Sequence, residues 1–216
     1  MLSDKQKATN YETLKHIEVV MQLLATMQHE IARRMFSHDR SKLESPEMEM
    51  FEQFTDRLAG MTYGSEEYRY CLEEMKQTAL GHHYENNRHH VEYFPDLPKD
   101  PKAVALCESV LTGLRQIKTS YPDDEYAFGY AIDLIEGHKR SLESSVNHMN
   151  LIDVLEMVCD WKAATLRHND GDIHKSLEIN TERFGLSPQL VNIILNTIPL
   201  LRSVYGGVVS QKDLDV

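Results

Sequence analysis

Apolar residues recur at alternating three- and four-residue spacing along almost the whole chain, which is the period of one face of an α-helix. The first row is Leu14, Ile17, Met21, Leu24, Ile31 and Met35, and a second row of His16, Val20, Leu23 and Met27 lies beside it. Thr9-x-x-Glu12 has the form of a capping box that opens this helix. So wide an apolar face predicts a helix central to the core, with His16 pointing close to that core. Ser37 to Ser45 breaks the pattern. Ser45-Pro46 then offers an N-cap and a first-turn proline to a second helix that carries Phe51, Phe54 and Leu58 and stops near Gly60. From Ser65 onward, Tyr68, Leu72, Met75 and Ala79 predict a third helix whose buried row runs on into His82, His83, Asn86 and His90.

A loop from Pro95 to Pro101 leads to helices predicted over 102–118 and 124–145, split at Tyr121-Pro122. Asn150 caps a strongly apolar helix that ends at Asn169-Asp170-Gly171. A helix from about Asp172 to Phe184 closes at Gly185, and Ser187-Pro188 opens a last helix that Pro199 should kink. No stretch alternates as a strand would, and no repeat is present. The pattern predicts an all-α chain, a single domain over residues 1–216 with about eight helices.

Composition narrows the partners. With 34 acidic against 23 basic side chains the formal charge is -11, which argues against a general nucleic-acid coat or an anionic membrane surface. A small anionic substrate stays open, because a metal or a few local Lys/Arg can reverse the field inside one pocket. No apolar run reaches the ~18–20 residues of a membrane span. The opening Met1-Leu2-Ser3-Asp4-Lys5 lacks the pattern of a signal peptide, and Cys71, Cys107 and Cys159 form no CxxC. A reducing, cytoplasmic setting with three free thiols is the expectation. Cys159 is expected to be core packing and not a nucleophile. A second copy of the chain is a candidate partner.

Histidine is the compositional oddity: there are 11, four of them between positions 82 and 90. His38-Asp39, inside Ser37-His38-Asp39-Arg40-Ser41-Lys42, pairs a borderline imidazole with a hard carboxylate, donors that suit Mn, Fe, Co, Ni or Zn better than Ca. The same residues would also serve as a polar cap between two helices. On a helix, His83, Asn87 and His90 share one face and His82, Asn86 and His89 another, within reach of a single ion. Asp153, Glu156 and Asp160 make an acidic stripe on an otherwise apolar helix, extended by Arg167. If that helix is surrounded by others, its carboxylates need hydrogen bonds or a cation.

The order His16 … His38-Asp39 … Asp160 on helices resembles the HD-domain superfamily of metal-dependent phosphohydrolases, and the histidines in between resemble its two-metal members. His38-Asp39-Arg40-Ser41-Lys42 looks like the form found in HD-GYP phosphodiesterases and in di-iron oxygenases related to inositol oxygenase, although no Gly-Tyr-Pro follows the histidine cluster. A nearer likeness is to an uncharacterised family of bacterial and phage proteins, through His-Asp-x-Ser-Lys, His83-x-x-x-Asn87-x-His89-His90, Glu156-Met157-x-Cys159-Asp160-Trp161 and the Lys175-Ser176 region. Relative to that family, residues 95–147 read as a helical insertion.

The resemblance implies an HD-type helical bundle in which His16, His38, Asp39 and Asp160 hold one divalent transition metal. Asp39 could bridge to a second ion held by His83 and by His89, His90 or both. His29 competes with His16 for its place. The implied activity is hydrolysis of a nucleotide or related phosphoester, with Asp39 and Lys42 at the reacting centre and Lys42 offsetting phosphate charge. Arg34, Asn87, Arg167 and Lys175 are candidates to hold the anionic substrate, as are Arg33 and Arg183. Two alternatives stand beside it: a di-iron oxygenase of the inositol-oxygenase-like type, and a non-catalytic ligand-binding module.

Overall fold

The computed structural model describes residues 2–61, 66–95, 100–121, 125–166 and 172–201. Among them there are nine α-helices, four short 3-10 turns and no strand, so the chain is all-α. The helices group into two compact units, divided between His83 and Tyr84.

The first unit opens with α1 (Asp4–Ser37). Its start lies one and a half turns before the predicted Thr9 cap, because Ser3 and Gln6 form the capping box instead. Thr9 turns its hydroxyl back onto the Lys5 carbonyl. Along the helix, Lys7–Asp4, Lys15–Glu12 and Arg33–Glu30 pair at i,i+3 and support it locally. The expected place of α1 at the centre of the core is not found: every described residue from Leu2 to His29 is exposed. An apolar stripe signals that a face is to be covered, and it does not say by what.

A 3-10 turn (Arg40–Leu43) follows, then α2 (Glu47–Ala59) and α3 (Glu66–Lys76). Phe54, Cys71, Met75 and Ala79 are the buried centre of this unit, with Met50, Phe51, Met61, Leu72 and Leu80 packed around them. An Arg57–Glu74 ion pair at 2.7 Å ties α2 to α3. The third predicted helix is interrupted: after Lys76 the chain turns and restarts as α4 (Ala79–Asn86). Gly81 permits this, since a Cβ there would collide with the Lys76 carbonyl oxygen. His89 and His90 consequently lie beyond the helix, and His90 caps a 3-10 turn (Val91–Tyr93).

In the second unit, α5 (Pro101–Ser120) and α6 (Glu125–Glu143) run antiparallel, joined by Arg115–Glu136 at 2.6 Å and Lys139–Glu108 at 3.2 Å. A 3-10 turn (Ser145–His148) leads into α7 (Leu151–Thr165), α8 (Ile173–Phe184) and α9 (Pro188–Thr197). Their core is Val91, Val146, Met157, Val158, Leu177, Leu186 and Ile194, each worth about 1.5–3 kcal/mol of burial. Trp161 and Phe184 stack nearly parallel, 6.1 Å apart, at its edge. Gly185 ends α8 in the left-handed region at φ 62°, with the Arg140 carbonyl 2.8 Å from where a Cβ would stand. Pro199 falls in a closing 3-10 turn (Ile198–Leu200), as the proline predicts. No helix among the described residues is long and apolar enough to cross a membrane.

Candidate functional site

The end of α1 builds the first cluster. His38 leaves the helix with extended ψ, and Asp39 then takes φ 56°, the sole non-glycine residue with positive φ among those described. Aspartate tolerates that conformation better than most residues, but it remains an uncommon one and marks a place worth inspection. The turn presents the Asp39 carboxylate to three partners. Lys42 Nζ donates to Oδ2 at 2.7 Å, His38 Nε2 lies 3.7 Å from Oδ2, and His83 Nε2 lies 3.2 Å from Oδ1.

Behind His83 stands Glu47, fully buried in the first turn of α2. Its Oε2 accepts from Ser41 Oγ at 2.8 Å and from His83 Nδ1 at 2.9 Å, and its Oε1 accepts from His82 Nδ1 at 2.9 Å. Burial pushes the Glu47 carboxyl upward, yet the hydrogen bonds from His82, Ser41 and His83 outweigh it and the net shift is downward. An ionised carboxylate can only accept, so His83 Nδ1 carries a proton. In the neutral imidazole the lone pair is then on Nε2, directed toward Asp39. A metal ion at Nε2 would balance the two carboxylates that flank this buried imidazole. A metal-ligating histidine usually donates its other ring N–H to a carboxylate in this way, which is the fit expected of a bound divalent ion.

The second cluster belongs to the other unit. His89 is buried, its Nδ1 3.4 Å from Glu156 Oε1 on α7, and its ring lies 4.1 Å from that of His90. His90 in turn packs on Tyr84 at 4.7 Å. Burial, chiefly, with the carboxylates of Glu92 and Asp160, raises the Tyr84 phenol against the opposing pull of Arg183. The donor atoms of His89 and Glu156, and those of His89 and His90, come within 4.8 Å of one another. Asp160, one turn beyond Glu156, is half-buried.

The acidic stripe of α7 divides by role. Asp153 is fully buried but needs no metal: it closes the capping box with Asn150, and Arg88 reaches both its oxygens at 3.3 and 2.9 Å. Cys159 is exposed, contrary to its expected place in the core. Partial desolvation of the sulfur, then the carboxylates of Glu156 and Asp160, push its thiol up, which leaves it a poor nucleophile.

Of the other predicted residues, His16 is exposed on α1, about 33 Å along the helix from His38 at 1.5 Å per residue. It is therefore not brought to the His38-Asp39 pair, and neither is the exposed His29. Arg34 is buried and bonded to Glu30 one turn back, at 3.0 Å. Asn87 is half-buried in the turn after α4, and its carbonyl accepts from the His90 amide. Lys175 is exposed in the first turn of α8. Arg167 lies outside the described residues. Glu47 is the residue that no pattern points to, and His82, which the spacing puts on a possible ligand face, instead donates to it. The only trace of Glu47 is an acid at a helix start, a feature of ordinary first turns.

The structure thus defines an all-α protein with two histidine–carboxylate clusters. Residues 5–115 and 135–200 match the model of a family described as "Family of unknown function (DUF5662)", and the chain belongs to that family. The match covers most of the stretch read as an insertion and leaves out 116–134, around the junction of α5 and α6. Neither curated proteins nor solved structures yield a match.

Proposed function

We propose that this chain is a metal-dependent phosphohydrolase of HD type, acting on a nucleotide or related small phosphoester. The observation that carries the metal reading is the Glu47–His83–Asp39 line, in which a buried carboxylate fixes the tautomer of an imidazole facing a second carboxylate. The reaction class rests on the HD-x-x-Lys resemblance of His38-Asp39-Arg40-Ser41-Lys42.

His38, Asp39 and His83 would hold one ion. His89, His90, Glu156 and Asp160 are the second donor set, with imidazole and carboxylate in proportions that again suit Mn, Fe, Co, Ni or Zn. When bound, a divalent ion supplies a water of near-neutral pKa and polarises a phosphoryl oxygen. The protein's part is to keep the donors in place. The left-handed turn at Asp39 aims its carboxylate, and Glu47 holds the Nδ1 proton of His83. Lys42, half-buried beside Asp39, exchanges its bond to Oδ2 for one to a phosphate oxygen and offsets charge there. Arg34 starts from a bond to Glu30, which leaves Lys42, already beside Asp39, as the cation in this unit best placed for the anion.

The test is metal analysis of untagged protein, followed by phosphate release from a nucleotide and phosphodiester panel with Mn or Co. Bound ions with turnover that Asp39→Asn abolishes support the proposal. Bound ions with no turnover on the whole panel overturn the hydrolase, and oxygen consumption by the iron-loaded protein would replace it with the oxygenase. Ion counts of Asp39→Asn and His89→Ala show whether each donor set holds an ion of its own.

A further inference from the structure

The longest helix of the chain leaves its apolar face open. On α1, Leu14, Ile17, Met21, Leu24, Ile31 and Met35 follow a strict three-four alternation, with Gln28 the single polar residue at the remaining place in the row. Val20 and Met27 widen the stripe on one side. Except for the half-buried Ile31, these side chains are between 38% and 72% exposed. That is a seven-residue apolar repeat kept up for about 32 Å of helix at 1.5 Å per residue. A solvated helix does not need such a stripe, since its capping box and i,i+3 pairs already support it.

We propose that this face is the interface between two copies of the chain, packed α1 against α1. Three observations favour a second copy over an unrelated partner. A spacing of 3.5 residues is self-complementary, because side chains of one helix enter the gaps of an identical one. The exposed stripe amounts to on the order of 600 Å² per copy, and two copies would bury about 1,200 Å² of it, at the lower edge of a stable interface before polar flanks are added. Charge selects the same surface. α1 carries Lys5, Lys7, Lys15, Arg33 and Arg34 against Asp4, Glu12, Glu18 and Glu30, one net positive charge in a chain of -11. Two such chains repel least where their α1 helices meet.

The experiment is sedimentation equilibrium of the full chain across a hundredfold concentration range. The expected species has twice the 25.0 kDa chain mass. Leu24→Glu, which places a carboxylate in the seam, should shift the mass to that of one chain while helicity and metal content stay as in the wild type. Gln22→Glu, on the opposite face, should remain dimeric. A wild-type chain that sediments as a monomer throughout overturns the proposal and means that the chain's own residues cover the stripe. A dimer that survives both Leu24→Glu and Ile17→Glu also overturns it, by placing the interface elsewhere.

Discussion

Glu47 takes three hydrogen bonds into one buried carboxylate, at 2.8, 2.9 and 2.9 Å, and Glu47→Gln leaves its shape unchanged while removing that capacity. The amide keeps one acceptor oxygen and turns the other position into a donor facing an N–H. Ser41 and His83 share Oε2, so the amide either keeps its oxygen there, leaving His83 a neutral acceptor in place of a carboxylate and His82 without one, or turns its oxygen to His82 and faces His83 Nδ1 with a donor. A hydrogen bond to a charged group is worth roughly 1.5–3 kcal/mol, and loss of an outer-shell partner of a ligating histidine costs about 10- to 100-fold in metal affinity. The two estimates agree, since tenfold is about 1.4 kcal/mol. The expected result is a dissociation constant for Mn or Zn raised 10- to 100-fold, read by competition with a chromophoric chelator at neutral pH. Ser41→Ala, which removes a single bond to the same carboxylate, should cost less, and Glu47→Asp should recover part of the loss. Because Glu47 is buried, Tm is read beside the affinity. A folded Glu47→Gln protein that binds metal within twofold of the wild type would refute the argument that the Glu47 carboxylate supports His83 as a ligand.

Three further outcomes follow from the packing and the charges. Gly81→Ala forces a Cβ against the Lys76 carbonyl, so denaturant unfolding should show a loss of about 1–3 kcal/mol, as for other overpacked positions. Arg88→Ala strands the buried Asp153 carboxylate; the usual loss for a broken buried pair is roughly 3–5 kcal/mol, and about 2–3 is expected because the Asn150 amide still donates to it. An unchanged midpoint would mean that Asp153 is solvated through another route. The Glu30 carboxyl is held down to about 2, first by its hydrogen bond from Arg33 and then by that from Arg34. Its folded value is below the unfolded ~4.3, so the stabilisation it gives is complete above that range and fades as pH falls through about 2. Carbon-detected NMR titration of Glu30 should place the midpoint there, and Arg33→Ala should move it upward.

The helix boundaries that could be read from sequence are those set by local chemistry. Asn150, Gly185 and Ser187-Pro188 act through caps and a left-handed turn within their own few residues, and they stand where the pattern puts them. Two failures have a common cause. The stripe of α1 predicts a core helix because an apolar face looks the same in a sequence whatever is to cover it. The row from Tyr68 into His83 predicts an unbroken helix because the break depends on how closely α4 approaches the end of α3, and Gly81 records that approach without advertising it.

The donor clusters divide along the same line. His38-Asp39 stands out in the sequence as an imidazole beside a carboxylate and His83 as one of four histidines between 82 and 90, and Asp39 meets His83 within one unit. His16 enters through the residue order that resembles the HD-domain superfamily, and the apolar row that favours it over His29 is itself exposed. Glu47 stayed hidden because glutamate at a helix start is common and its importance comes from three partners distant from it by 6, 35 and 36 residues. Asp153 shows the converse, an acid whose stripe position suggests a cation but whose charge Arg88, 65 residues earlier, already neutralises. Candidate donors can thus be read from residue type and spacing, whereas the groups that set a donor's protonation or cancel its charge come from elsewhere in the chain. That difference makes Glu47, more than any histidine, the residue whose substitution separates a metal site from a buried polar cluster.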